Sequence, residues 1–322
     1  MLMRGDFFSG CMQDSSKPVR KRAAILSKIA LFYDFSWSIQ KKAVTLQSEI
    51  VIMQKKALIL TLLILMLTAC GEYQKILKST DPDFKYNAAI EYFNRGEYVK
   101  AQTLLDDVTS YYRGTERSED VLIYLARCYM GQKVYDSAAE YYEAYTRSYP
   151  KGRYNMEARF MVAHAYYMDS PDARLDQKTT RTAIQFFTQF IEMFPESSYA
   201  EQAYSERQEM FDKLAYKELL SARLYYNLGT YLGNNYLSCE TVSKNALKTY
   251  PASPYTEEFN WLVFAAKYQQ MVNSATYLLE ERAREAQDEY YSFITEFPDS
   301  KHAPQAKQWF KQIRKVLKAE ED

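Results

Sequence analysis

Hydrophobic positions between about residue 81 and residue 317 recur at intervals of three and four, which is the period of an amphipathic α-helix. In residues 87–105 the small and aromatic positions follow this period: Ala89, Tyr92, Gly96, Tyr98, Ala101 and Leu105. The chain has only nine glycines but thirty tyrosines, a balance that favours helices packed through aromatic side chains over sheets with tight turns. The pattern therefore predicts an all-helical fold.

Four similar segments interrupt this pattern. An aromatic residue, a proline and a short polar turn follow one another from Tyr149, Phe194, Tyr250 and Phe297. Proline lacks a backbone N–H and ends a helix, and a serine or glycine turn begins the next one. Similar segments that recur along a chain indicate internal repeats, and here each repeat would be a pair of helices.

The spacing of small and aromatic residues within each unit resembles the tetratricopeptide (TPR) repeat. The second unit repeats the frame of the first with Ala126, Tyr129, Tyr135, Ala138 and Tyr142. The third and fifth units are stretched, at "MDSPDARL" and around "NSATYLLEE", and "GNNYLSC" departs from the pattern in the fourth. The resemblance implies an all-α, TPR-type α-solenoid of five helix-pair repeats, with a capping helix at 303–317.

One irregular spacing predicts a long helix in the middle of the array. Pro150 lies 13 residues before Ala163, whereas Pro195 lies 27 residues before Ala222. The additional residues correspond to about four helical turns. We therefore expect a long helix near 199–228, joining a front half of three repeats (81–195) to a rear half of two repeats (196–322).

A short apolar run precedes the repeats. Residues 57–69 carry no charge, but a transmembrane helix needs about twenty such residues. Two lysines, Lys55 and Lys56, precede the run and small residues end it, as in a secretory signal. The alternative is a buried core helix.

The end of this run, Leu67-Thr68-Ala69-Cys70, resembles the lipobox of bacterial lipoproteins. The resemblance implies a diacylglyceryl group on the Cys70 thiol, cleavage before Cys70 and acylation of its new amino terminus. Two or more acyl chains hold a protein stably on a membrane. Gly71 and Glu72 follow, without the aspartate that favours inner-membrane retention in enterobacterial lipoproteins, so the resemblance points to the periplasmic face of the outer membrane.

Met53 heads a complete signal, which divides the N-terminal region. Residues 53–69 are interpreted as the lipoprotein signal peptide, and residues 70–80 as a lipidated tether. Residues 1–52 are interpreted as a mis-assigned extension upstream of the true start. Three basic residues cluster there, Arg20, Lys21 and Arg22, so a real basic arm is the alternative, although such runs are usually solvated.

The net charge of the chain limits the kinds of macromolecule that it is expected to bind. Residues 1–56 hold ten basic and four acidic residues and residues 57–70 none, so residues 71–322 carry a net charge of −6. Nucleic acid is not expected as a partner, since phosphate binding needs clustered positive charge.

Cys128 and Cys239 are interpreted as small residues in helix packing, with a disulfide between them as the alternative.

The sequence contains no motif that predicts an enzyme. The two histidines, His164 and His302, fall on different repeats and support no metal site. A glycine-rich phosphate loop, Gly-x-Ser-x-Gly and Cys-x-x-Cys are all missing from the sequence. Asp106 and Asp107 are interpreted as a solvated helix face. We therefore expect no catalytic residues, no metal and no cofactor beyond the lipid groups on Cys70.

A curved solenoid presents a concave surface that is suited to holding a peptide. In TPR arrays the first helix of each pair lines that surface, at positions i, i+4 and i+7. The candidate groove residues are Tyr86, Ile90, Phe93, Ile123, Arg127, Met130, Phe160, His164 and Tyr167. The alternative for each of them is a place in the core between repeats.

A lipobox followed by five TPR-like repeats, with "AIQFFTQFIEMFPESSYAEQA" after the insertion in the third, resembles the BamD family over residues 70–315. These are lipoproteins of the outer-membrane β-barrel assembly machinery. The resemblance implies a non-enzymatic scaffold. Its residues 81–195 would receive unfolded β-barrel precursors, and its residues 217–317 would bind the periplasmic domains of BamA, the barrel-bearing insertase.

Two alternatives remain open at this stage. One is a TPR lipoprotein that binds peptides in another envelope pathway, such as cell division or peptidoglycan coordination. The other is a glycan-capturing surface lipoprotein of the SusD type, although those chains are far longer and carry loop-rich insertions.

Overall fold

The computed structural model describes residues 53–58 and 71–319, and these residues form helices and turns without any strand. The chain divides into two compact units, Met1–Lys78 and Ser79–Asp322. In the first unit the described residues are helical at 53–58 and 71–77. No described helix is both long and apolar enough to cross a membrane. Cys70 and most of the apolar run lie outside the described residues.

The second unit consists of eleven α-helices within the residues that the structure describes, with one short 3₁₀ helix at Thr276–Leu278. The helices are α1 (Pro82–Asn94), α2 (Tyr98–Tyr112), α3 (Arg117–Gly131), α4 (Tyr135–Ser148), α5 (Asn155–Asp169), α6 (Lys178–Met193), α7 (Ala200–Leu228), α8 (Asn235–Thr249), α9 (Thr256–Val272), α10 (Leu279–Glu296) and α11 (Ala303–Ala319).

Each helix packs against the one before and the one after it, which makes the unit a solenoid of helix pairs. The pairs α1–α2, α3–α4, α5–α6, α7–α8 and α9–α10 form the five repeats, and α11 caps the array. The predicted fold class is confirmed. Small residues at the predicted positions let paired helices approach closely: Ala89 and Ala101 in the first repeat, and Ala126 and Ala138 in the second, are fully buried.

The predicted helix ends are confirmed at the four aromatic–proline segments. Helices α4, α6, α8 and α10 each end one residue before the aromatic residue. The backbone N–H of that residue still donates to the carbonyl four residues earlier, as from Tyr149 to Tyr145 at 2.8 Å. The proline that follows has no N–H to continue the ladder. At the other end of the array, Asp81 begins α1 by accepting hydrogen bonds from the backbone N–H groups of Asp83 and Phe84.

The long helix predicted near 199–228 is confirmed as α7, whose 29 residues span about 43 Å. Its first half contributes Ala203 and Met210 to the core of the third repeat. Its second half contributes Leu219 and Ala222 to the core of the rear half. One continuous helix therefore belongs to both cores and joins the front repeats to the rear repeats.

The insertion of the third repeat is fixed against α7. The amide of Gln177 is fully buried and donates to the backbone carbonyls of Asp172 and Leu175. From α7, the Lys213 ammonium donates to the hydroxyl of Ser170 at 2.7 Å, and Lys217 donates to the Leu175 carbonyl at 2.6 Å. The "MDSPDARL" segment is thus a brace across the junction between the two halves.

Candidate peptide-binding surface

Two candidate groove residues of the first repeat, Tyr86 and Phe93, contact side chains of the second repeat. Tyr86 lies edge-on to Tyr112 of its own repeat, with ring centroids 5.8 Å apart, and beneath the guanidinium of Arg117 in the second repeat. Phe93 makes the same kind of contact with Tyr124 at 5.1 Å. Burial and the nearby charge of Asp120 raise the pKa of Tyr86 to about 12, so its hydroxyl stays protonated at physiological pH.

Arg127 is the main polar residue of this surface in the second repeat. Its guanidinium makes a bidentate ion pair with Glu157 of the next repeat, with N···O distances of 2.9 and 2.7 Å. The same guanidinium lies over the rings of Tyr124 and Tyr154. A planar group held by a bidentate ion pair and by two aromatic rings is rigidly positioned. Arg127 therefore fixes the angle between neighbouring repeats.

His164 and Tyr167 continue the surface from α5 to α7. His164 Nδ1 lies 2.8 Å from a carboxylate oxygen of Glu206, and the Tyr167 hydroxyl donates to Glu209 at 2.6 Å. That hydrogen bond and burial raise the pKa of Tyr167 to about 12. The His164 ring also stacks on Phe160, with centroids 5.7 Å apart.

The other candidate groove residues are less available to a ligand. Ile123 and Phe160 are 0 % and 2 % exposed, so the structure places both in the core, which was the alternative given for them. Ile90 and Met130 are half-buried. The nine candidates thus lie along one series of helices, but most of them connect consecutive repeats, and only their outer edges are open to solvent.

The carboxylates that pair with Arg127 and His164 were not predicted from the sequence. Glu157 lies 30 residues after Arg127, and Glu206 lies 42 residues after His164, so each carboxylate comes one repeat later than its partner. The sequence signal that could have found these pairs is a basic residue on the first helix of one repeat and an acidic residue on the first helix of the next. Because the insertion in the third repeat changes that distance, a fixed spacing does not find both.

A pocket between the first two repeats was also missed. Its volume is about 160 Å³, and its apolar wall is formed by Val121, Leu122 and Leu125 of α3. Arg113, the residue that follows α2, lies at its rim and is exposed. Gly114 turns the chain there with a φ of +81°, a conformation that favours glycine. The pocket therefore combines an apolar wall with a cation that has no ion-pair partner among the described residues.

The rear half presents an exposed apolar turn between α7 and α8, which we call the 229–234 turn. Leu232 is 90 % exposed, and Tyr231 beside it is 67 % exposed. Leu232 has a φ of +54°, which is strained for leucine. Asn235 holds the turn through its side-chain amide on the Tyr231 carbonyl and its backbone N–H on the Gly229 carbonyl. The irregular "GNNYLSC" segment therefore ends this turn and begins α8, directly after the two exposed apolar side chains.

A cluster of charged and aromatic side chains ties the rear repeats to the cap. Glu258 of α9 accepts from Arg223 of α7 at 3.0 Å and also pairs with Lys301. The His302 ring stacks on Trp261 at 4.4 Å, nearly parallel. Burial favours the protonated acid, but hydrogen bonds from Lys301, Arg223 and His302 prevail and lower the pKa of Glu258 to about 2.

The described residues show no group of histidine, cysteine, aspartate or glutamate side chains that could hold a metal ion. Cys128 and Cys239 are both buried free thiols in different repeats. Burial raises the pKa of each thiol to about 12, so neither is a nucleophile at neutral pH. The interpretation of both as packing residues agrees with their positions in α3 and α8.

The fold and these surfaces define a helical-repeat protein of the TPR type, a class that generally binds other proteins. Residues 79–234 match the model of the YfiO family, which is described as an outer membrane lipoprotein. The matched residues comprise α1 to α7 and the 229–234 turn. No curated protein sequence matches the chain.

Several solved structures of TPR proteins match the chain at low sequence identity. The P58(IPK) TPR domain is 14 % identical, with 79 % of this chain and 68 % of that chain covered and a TM-score of 0.34. A Podosopora anserina putative kinesin light chain with nearly identical TPR-like repeats is 14 % identical, with coverages of 74 % and 97 % and a TM-score of 0.28. Human IFIT1, a dimer with PPP-AAAA, is 17 % identical, with coverages of 79 % and 61 % and a TM-score of 0.26.

Proposed function

We propose that this chain is a lipid-anchored scaffold of the outer-membrane β-barrel assembly machinery. It would be attached through acylated Cys70 to the periplasmic face of the outer membrane. Its front half would receive unfolded β-barrel precursors, and its rear half would bind the periplasmic domains of BamA. Support comes from the outer membrane lipoprotein match over residues 79–234, combined with five helix-pair repeats.

The front-half pocket is the observation that carries the substrate part of the proposal. Its wall of Val121, Leu122 and Leu125 fits an apolar or aromatic side chain, and Arg113 at the rim fits a carboxylate. A chain terminus that ends in an aromatic residue offers both groups at once. We therefore assign the pocket to the C-terminal signal of a barrel precursor.

Peptide binding to the full chain tests this assignment. A fluorescent peptide with a terminal aromatic residue is titrated against the wild-type protein and the Arg113→Gln variant. The variant should bind about threefold to tenfold more weakly, as expected for a charge pair at a surface rim. Amidation of the peptide terminus should weaken binding to the wild type equally and should not weaken binding to the variant further.

A matched control is Arg95→Gln, which removes an exposed arginine of the first repeat that pairs with Glu91 and lies over the ring of Tyr92, away from the pocket lining. This variant should bind the peptide as the wild type does. If Arg113→Gln and Arg95→Gln bind equally, or if amidation has no effect on the wild type, the assignment of the pocket is wrong.

A further inference from the structure

The capping helix α11 carries a continuous basic stripe. Its members lie at positions i, i+4, i+7, i+8 and i+11: Lys307, Lys311, Arg314, Lys315 and Lys318. At 100° per residue these positions fall within an arc of about 100° on the helix surface. All five residues are exposed. We call this set the basic stripe.

The opposite face of α11 is fully used by the fold. Ala306 and Ile313 are completely buried, and Trp309, Phe310 and Leu317 pack against the core of the rear half. Phe310 stacks on Tyr290 of α10, with ring centroids 4.0 Å apart. The stripe therefore faces away from the protein, and the fold does not need its charges.

The acidic residues near α11 do not compensate the basic stripe. The sequence has no aspartate or glutamate from 300 to 319. On α10, Glu285 pairs with Lys267 and Glu289 pairs with Lys244. None of the five cations lies within ion-pair distance of an acidic group among the described residues. The three acidic residues after α11, Glu320 to Asp322, lie outside the described residues.

An ordinary solvated helix face mixes positive and negative charges, whereas this one concentrates a single sign. The stripe contains five like-charged neighbours at i, i+3 or i, i+4, and each such pair destabilises an isolated helix. Residues 71–322 as a whole are acidic, with a net charge of −6 even with the five cations of the stripe included. An anionic surface would relieve this repulsion and is the complementary partner.

We propose that the basic stripe binds anionic phospholipid headgroups of the membrane to which the chain is anchored. The proposal rests on the lipid anchor of the proposed function, because the anchor keeps the solenoid close to one membrane surface. A Lys or Arg residue near an anionic bilayer strengthens binding about fivefold. A tether raises the effective concentration of the surface, so this contact would hold the rear end of the solenoid against the bilayer.

Lysine labelling of the full, lipid-anchored chain in vesicles tests the proposal. The vesicles contain phosphatidylcholine alone, or phosphatidylcholine with about a third phosphatidylglycerol, a composition that supplies a negative surface potential. After brief amine modification, mass spectrometry gives the labelled fraction at each lysine. Labelling of Lys307, Lys311, Lys315 and Lys318 should fall several-fold in the anionic vesicles only, and high salt should restore it.

Internal and variant controls make the readout specific. Lys151 and Lys248 are exposed lysines in other repeats, and their labelling should be the same in both vesicles. The variant K311E/K315E should lose the protection of the remaining stripe lysines, whereas K151E/K248E should keep it.

Equal labelling of the stripe in both vesicles would overturn the proposal. Protection that needs an added acidic protein, and is not produced by anionic lipid, would also overturn it and would assign the stripe to a protein partner. A chain that fails to remain with either vesicle would contradict the lipid anchor instead. Failure of the anchor and failure of the stripe are thus distinguishable.

Discussion

Single residues set the distance between the helices of this solenoid, and Gly131 shows how closely they approach. Gly131 lies in the last turn of α3, where an added Cβ would be 2.5 Å from a ring carbon of Tyr98 on α2. The Tyr98 ring also contacts Phe93 edge-on at 5.5 Å. The glycine is therefore required by packing between the first two repeats.

The variant Gly131→Ala should destabilise the protein by roughly 1–3 kcal/mol, because the new methyl group overpacks a filled interface. Urea unfolding of the full chain gives the free energy of unfolding. In the Tyr98→Ala background the same change should be almost neutral, since the clashing ring is gone. A similar loss of stability in both backgrounds would show that the contact with Tyr98 is not the cause.

The residue scale also explains what the sequence could predict about the candidate groove. The 3.6-residue period of the sequence placed Arg127, His164 and Tyr167 on the first helix of a repeat, where the structure has them. It did not separate the surface from the core at Ile123 and Phe160, because the depth of a side chain depends on how far the next repeat rotates over it. The pocket beside Arg113 depends on a turn at Gly114, which no hydrophobic period encodes.

At the scale of elements, Glu258 connects α7, α9 and the segment that begins α11. The pKa of Glu258 is about 2, well below its ordinary value of 4.5. A depressed pKa means that the folded protein favours the carboxylate, so this contribution to stability is complete above about pH 4.5. It is lost as the pH falls from there towards 2.

The variant Glu258→Gln should therefore be less stable than the wild type at pH 6, and the difference should shrink as the pH falls towards 2. Thermal or urea unfolding at several pH values measures this difference. Glu296→Gln is the matched control, because Glu296 is exposed on α10 without an ion-pair partner among the described residues. A stability difference for Glu258→Gln that is independent of pH would contradict the account.

The 229–234 turn is a second element whose conformation carries a prediction. If the rear half binds BamA as proposed, Leu232 is the most exposed apolar side chain available to it in this turn. The variant Leu232→Asn should weaken that binding several-fold while keeping the fold, because asparagine tolerates a positive φ better than leucine does. Binding is measured with purified BamA periplasmic domains.

Leu175→Asn is the control for a merely apolar surface residue. Leu175 is 59 % exposed in the front-half insertion, so its replacement should leave BamA binding unchanged. Equal binding by Leu232→Asn and the wild type would exclude the turn from the interface.

At the scale of the whole molecule, most of the architecture was predictable. The four aromatic–proline segments located the ends of α4, α6, α8 and α10, and one irregular spacing located α7. These signals are local, because proline and helical periodicity act within a few residues. The brace formed by the "MDSPDARL" segment was not predictable, since it depends on Lys213 and Lys217, about forty residues away in the sequence.

The central claim is that an acylated Cys70 holds this solenoid at the outer membrane beside a barrel-bearing insertase. The most direct test purifies the full chain from membranes and analyses its N-terminal peptide and its co-purifying proteins by mass spectrometry. The account predicts that the mature chain begins at an acylated Cys70 and brings BamA with it. An unacylated chain that retains residues 1–52 and carries no BamA would contradict it.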